Sequence, residues 1–283
     1  MSSKFDNFTK KKDFLVCVDS DGCAMDTMDI KHFNCFGPCI ISEWNLFEFE
    51  KEILERWNVI NLYSMTRGVN RFKGLAMMLK EIDEKYVKIV DLDTFISWTN
   101  ETKELSNNAL KNAINENPNS ICLIKALSWS NAVNASINKL SDDEKRPFEK
   151  VKEALEFAHK YADIAIVSSA NLDAVLEEWV KFGLMDHVDI VLAQDAGTKA
   201  FCIQELLKKG YDKTNVLMCG DAPGDLDAAK KNGVFYYPIL VKKEKESWEE
   251  FISIGLNNLL NNEYGETYQN KKIEEFLTNL GGK

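Results

Sequence analysis

From about residue 162 to 238 the chain alternates two patterns. Short, mainly apolar runs, at Asp163–Val167, Val188–Leu192, Asn215–Cys219 and Val234–Tyr237, predict strands; the stretches between them, Ala170–Phe182, Ala200–Lys209 and Asp225–Asn232, carry apolar residues at helical spacing. Strands without polar alternation, separated by helices, predict a parallel sheet covered on both faces. One further run of this kind, Phe14-Leu15-Val16-Cys17-Val18, stands apart near the N-terminus. Pro147 is placed to open a helix over 148–161 that turns Phe148, Val151, Ala154, Leu155 and Ala158 inward. Trp248–Leu260 and Ile273–Leu280 predict terminal helices.

Between about 43 and 140 the pattern is helical throughout. Ser42 can cap a helix carrying Trp44, Phe47, Ile53, Leu54 and Trp57; Thr66 can cap another carrying Val69, Phe72, Leu75, Ala76 and Leu79. Leu92–Trp98, Leu105–Ile114 and Ile121–Ile137 continue the series, whereas Met28–Ile41, with its Gly37-Pro38 pair, reads as a connection between domains. The predicted architecture is α/β: a doubly wound parallel sheet core made of residues 1–28 and 146–283, interrupted by an α-helical domain of residues 29–145.

Composition narrows the class. The chain of 283 residues is 45% hydrophobic and 28% charged, as in ordinary globular proteins, and its net charge of −10 disfavours broad attraction to nucleic acid or an anionic membrane. Seven cysteines at scattered spacings make no disulfide framework, which predicts a reducing, cytoplasmic setting. His32, Cys35 and Cys39 form an H-x-x-C-x-x-x-C pattern that lacks a fourth zinc ligand. The stretch from Met1 to Asp13 is polar and rich in lysine, unlike a secretory signal, and no apolar run nears the roughly 20 residues of a membrane helix.

Candidate chemistry lies at the ends of the predicted strands. Asp19 and Asp21 follow the first apolar run, two residues apart, with Gly22 able to bend the chain after them. On an extended backbone the two would share a face, and crowded carboxylates call for a metal ion or a shared proton; the plainer alternative is an exposed Asp-Gly turn. Asp19, Ser168 and Asp221 each end a predicted strand, where open parallel sheets bind their ligands.

These residues carry a resemblance. Asp19-Ser20-Asp21-Gly22 followed by Asp26-Thr27 resembles the first motif of the haloacid dehalogenase superfamily, D-x-D-G-x-x-x-D-[ST]. Ser168-Ser169, Lys199, and Gly220-Asp221-Ala222-Pro223-Gly224-Asp225 follow in the order of its other three motifs. The resemblance implies a Rossmann-like core with a helical cap inserted between motifs one and two. It also implies a Mg²⁺-dependent phosphatase of small phosphorylated metabolites. In that family pattern Asp19 is the nucleophile that forms an aspartyl-phosphate, and Asp21 is the general acid and base. Mg²⁺ would be held by Asp19, Asp221 and the Asp21 carbonyl, with Asp225 one helical turn on in a supporting or water-mediated place. Ser168 and Lys199 would bind the phosphoryl group, helped by the backbone N–H of Ser169 and of Ser20 or Asp21.

Cys23 stands where the family usually has threonine or valine, and Pro223-Gly224 sits inside motif four; neither removes a needed charge. Family dehalogenases carry an aromatic residue at the Asp21 position and phosphonate-cleaving members an alanine, so Asp21 favours phosphate esters. A phosphomutase of the β-phosphoglucomutase kind would share all four motifs, and a non-catalytic phospho-ligand-binding protein could retain the pocket. The partner expected is a small phosphorylated metabolite, with no nucleic acid and no membrane; the sequence sets no oligomeric state.

Substrate choice is expected to come from the insert, as lids act in other enzymes. Thr66 as a cap would put Arg67 and Arg71 one turn apart on one helix face near its N-terminus, where cations oppose the dipole. An anion on the substrate would offset them; pairing with surface carboxylates is the alternative.

Overall fold

A computed structural model describes residues 4–282. Met1–Ser3, the start of the polar N-terminal stretch, and Lys283 lie outside the described residues. The chain divides into two compact units, Met1–Met28 with Asp142–Lys283, and Asp29–Ser141.

The first unit is built on five parallel strands, and a separate short pair is antiparallel. In chain order the strands are β1 (Phe14–Val18), β2 (Met25–Asp26), β3 (Arg146–Pro147), β4 (Ala162–Val167), β5 (Ile190–Leu192), β6 (Val216–Gly220) and β7 (Phe235–Pro238). The main sheet runs β5-β4-β1-β6-β7, and β2 pairs with β3. The apolar run of β1 takes the central place because every residue from Leu15 to Val18 is buried. Val18 pairs with Ile166 on one side and Cys219 on the other, so residues that follow β1, β4 and β6 emerge at one edge.

Helices Val151–Ala158, Leu172–Lys181, Lys199–Leu207 and Pro223–Asn232 connect or cover the strands. The helix predicted from Pro147 begins later. Arg146-Pro147 forms the strand opposite Met25-Asp26, and Lys150 adopts a left-handed φ of 74°, which a helix cannot run through. The C-terminal helix Glu266–Asn279 covers edge strand β7: the Tyr236 N–H donates to Gln269 Oε1 at 3.1 Å and the Val241 N–H to Asn279 Oδ1 at 2.9 Å. An edge strand whose donors are spent in this way no longer offers itself to another chain.

The second unit is helical among the described residues, with a core around Trp57, Phe72, Phe95 and Trp129. Three sequence expectations shift here. The Met28–Ile41 connection is itself helical: a wide turn over His32–Phe36, closed by the Gly37 N–H on His32 O, leads directly into the helix Gly37–Trp44. Pro38 stands in the first turn of that helix, just after the wide turn. Gly37 packs closely, since a Cβ there would meet Leu54 Cδ2 at 2.6 Å and that side chain would have to move.

Ser42 lies inside that helix and caps nothing; Asn45, at φ 55°, ends it, and a separate helix spans Glu50–Leu62. Similarly, Thr66 does not begin the next helix. Gly68 sits at φ 70° in a turn, and Asn70 is the cap, its side chain accepting from the Phe72 N–H at 2.9 Å, so the helix is Arg71–Lys85.

Candidate active site

The turn after β1 is organised by Ser20. Its carbonyl accepts the N–H groups of Cys23, Ala24 and Met25, at 3.3, 3.0 and 2.8 Å. Gly22, at φ 81°, makes the reversal and donates its own N–H to Met25 O at 2.8 Å. This tight loop leaves Asp19 in line with the strand, its N–H donating to Cys219 O at 3.0 Å. The Asp19 side chain turns in at the sheet edge, where its Oδ1 accepts the Ser20 N–H at 2.8 Å and its Oδ2 lies 2.7 Å from Lys199 Nζ.

Lys199 opens the helix Lys199–Leu207, capped by the Thr198 hydroxyl on the Phe201 N–H. A cation at that end opposes the helix dipole, and two carboxylates offset it: Asp19, and Asp225 Oδ1 at 2.5 Å. Asp225 belongs to the turn after β6. Its Oδ2 accepts the Ala222 N–H at 3.1 Å, closing the first turn of the helix Pro223–Asn232. The carboxylate lies over Gly220, where a Cβ would come within 2.3 Å of Asp225 Cγ. Asp221 follows β6 directly.

Asp19, Asp221 and Asp225 are 5%, 1% and 0% exposed. Burial pushes the Asp19 carboxyl up to about 6 against the opposing pull of Lys199, and also raises Asp225. Burial works to lower Lys199, but the two acids outweigh it and hold its pKa above the ordinary value. The ammonium is therefore firmly charged while the acids around it are short of compensation.

Each of the three acids can offer a carboxylate oxygen within 4.8 Å of the others. Three buried carboxylates gather near one ammonium, and all the donors are hard oxygens. That donor set fits a divalent cation such as Mg²⁺.

The other candidate residues fall into separate places. Asp21 is half-buried at the loop and accepts the Thr27 hydroxyl on Oδ1 at 2.6 Å. Ser168 is buried after β4; its N–H donates to Leu192 O and its Oγ accepts the Ala170 N–H at 3.1 Å, while Ser169 is exposed. In the second unit Arg67 is buried in the turn before the helix and donates to Leu62 O at 2.8 Å, so it shares no helix face with Arg71. Arg71 lies with its guanidinium 5.1 Å from the Phe36 ring centre and donates to Ser130 Oγ and Asn134 Oδ1 at 3.2 and 2.7 Å. Burial lowers its pKa.

Two tryptophans that motif reading passes over hold the first loop. Trp179 Nε1–H donates to Ser20 Oγ at 2.9 Å, and Trp248 Nε1–H to Cys23 O at 3.1 Å. The sequence marks them only as indoles on inward helix faces, whose N–H groups must be satisfied, and does not mark their partners.

A parallel α/β core that gathers acids and one lysine at the carboxyl ends of its strands defines a class of enzyme built around carboxylate chemistry. The chain belongs to the haloacid dehalogenase-like hydrolases, whose family model matches residues 93–239, just over half of its length. The matched region contains Ser168, Lys199, Asp221 and Asp225, and begins after Asp19.

Solved structures to which the chain is similar include one assigned as a beta-phosphoglucomutase from Thermotoga maritima. It is 16% identical, with a TM-score of 0.50, and the likeness covers 86% of this chain and 99% of that one. Another, assigned as a phosphatase from Clostridium difficile, is 18% identical at a TM-score of 0.49, over 81% of this chain and 86% of that one. A third, assigned as a phosphoglycolate phosphatase from Haemophilus somnus 129pt, is 14% identical at a TM-score of 0.49, over 86% and 98%. No curated protein matches the chain. Among the described residues, no helix is long and apolar enough to cross a membrane.

Proposed function

We propose that this hydrolase is a Mg²⁺-dependent phosphatase of small phosphorylated metabolites. The observation that carries the reading is the buried set of Asp19, Asp221 and Asp225, with Asp19 and Asp225 paired to Lys199. Asp19 Oδ2, beside the ammonium, is the candidate nucleophile, attacking phosphorus to form an aspartyl-phosphate as the ester oxygen leaves. Asp21 protonates that oxygen and then takes a proton from the water that hydrolyses the intermediate; its Oδ1 accepts the Thr27 hydroxyl, which holds it at the loop. Lys199 balances charge on the nucleophile and the transferring group, and the Ser168 hydroxyl, whose lone pair takes the Ala170 N–H, retains its own proton to donate. Asp19, Asp221 and Asp225 would hold Mg²⁺, which screens the repulsion between an anionic nucleophile and a phosphate ester. Asp21, where a dehalogenase has an aromatic residue, favours phosphate esters as substrates.

The test is a screen of phosphorylated metabolites for inorganic phosphate release with Mg²⁺ and with EDTA. Release that requires Mg²⁺ is the expected result. Interconversion of sugar-phosphate isomers without release would mark a phosphomutase, in which a second hydroxyl takes the phosphoryl group. Tight phosphate-ester binding without turnover would mark a binding protein.

A further inference from the structure

Building on the phosphatase reading above, we propose that Trp179 and Ser20 form a positioning pair, in which the indole N–H held on the serine hydroxyl fixes the peptide beside the nucleophile and aims the Asp19 carboxylate.

Ser20 stands between the two acids of the first motif and is fully buried. Its backbone N–H holds Asp19 Oδ1 at 2.8 Å, and its carbonyl gathers the three N–H groups of the following turn. Its side chain, which could have been any small apolar group, instead accepts the Trp179 N–H at 2.9 Å. Trp179 is itself fully buried, on the helix Leu172–Lys181 that follows β4 and the Ser168 turn. The bond therefore ties the helix behind motif two to the peptide in the middle of motif one, across 159 residues of sequence.

Replacing both partners of a buried hydrogen bond by apolar groups of similar shape is nearly neutral for stability, so packing alone does not call for this pair. What an apolar pair cannot supply is direction. With the Ser20 peptide held, its N–H fixes Oδ1 and leaves Oδ2 turned to Lys199 at 2.7 Å. A nucleophile must sit near its line of attack, and displacements of about 1 Å can cost on the order of 100-fold in rate. The Trp179 indole N–H and the Ser20 hydroxyl bond to each other, and their effect on Asp19 passes through the Ser20 peptide.

The experiment measures kcat and KM on a small aryl phosphate with Mg²⁺ for wild type, Trp179→Phe, Ser20→Ala and the double variant, with melting temperatures alongside. Each single variant is expected to lose about tenfold or more in kcat with KM within about twofold. The double variant is expected to be no slower than the slower single, because both changes break one bond. An unchanged kcat in either single variant, a loss carried by KM, or losses that multiply in the double variant overturns the pair. If Trp179→Phe does not fold, Ser20→Ala decides alone: a wild-type kcat overturns the proposal, and a loss confined to kcat supports it. A wild type that releases no phosphate overturns the phosphatase reading and the proposal with it, whereas an active wild type with unaffected variants overturns the pair only.

Discussion

Asp19 is asked to be charged in a place that disfavours charge. Burial lifts its pKa from 3.8 to about 6, so in the metal-free protein the folded state keeps a proton that the unfolded chain gives up. That contribution to stability is fully present below the unfolded value and is lost as pH rises through the folded one. Asp19→Asn, neutral at every pH, should therefore melt higher than wild type in EDTA at pH 8, by on the order of 1–3 kcal/mol, with the difference closing below about pH 4. Mg²⁺ should raise the melting temperature of wild type more than that of the variant, and phosphate release by the variant should fall below about a hundredth of wild type. Melting curves at two pH values, with and without Mg²⁺, and a phosphate assay check all three; a variant that melts lower at pH 8 contradicts the burial argument. Asp19, Ser168 and Asp221 were legible in the sequence because each ends an unbroken apolar run, and Lys199 through the order of the motifs. Trp179 was not, because nothing local distinguishes an indole that meets a hydroxyl far along the chain from one that merely fills the core.

The turn that joins β6 to the helix Pro223–Asn232 shows how one element serves both fold and site. Asp225 caps that helix through the Ala222 N–H and anchors Lys199 with its other oxygen, which requires its carboxylate to lie where the side chain of residue 220 would be. Gly220→Ala should push Asp225 off both bonds, costing about 1–3 kcal/mol as overpacking does and lowering phosphate release at least as much as it lowers stability. Thermal melts and kcat on the same preparations check this; full activity would show that the turn yields without moving Asp225. The glycine was visible in the sequence as part of a motif, but the reason for it is a contact. The five strands of the main sheet were legible to within a residue or two, whereas the short pair Met25–Asp26 and Arg146–Pro147 and the helix starts were not. An apolar run announces burial directly, whereas Ser42, Thr66 and Pro147 are helix-starting residue types at places where Asn45, Gly68 and Lys150 take left-handed conformations and decide the boundary.

At the scale of the whole chain, one cluster of buried hydrophobic residues lies entirely within the first compact unit and another entirely within the second. The first unit also closes its own break: β2 and β3 flank the insertion point and pair antiparallel, Asp26 opposite Arg146, so the ends left by removing the insert already lie side by side. Every residue placed in the phosphoryl chemistry, from Asp19 to Asp225, belongs to that unit. Replacing residues 29–141 by a short glycine-rich linker should therefore leave a chain that folds cooperatively and still releases phosphate from a small aryl ester. It should lose the ability to prefer one phosphorylated metabolite over another, since the acids and the lysine of the core are spent on the phosphoryl group. Arg71→Ala in the full chain is the milder version of the same change. Its guanidinium is bonded to neutral side chains, Ser130 and Asn134, rather than to a carboxylate in a chain of net charge −10, which suits it to meet an anionic group on a substrate. If it does, kcat/KM should fall about tenfold or more on the best natural substrate and stay within about twofold on the aryl ester. Equal losses on both substrates in the arginine variant, or undiminished discrimination by the shortened chain, would assign substrate choice to the core instead.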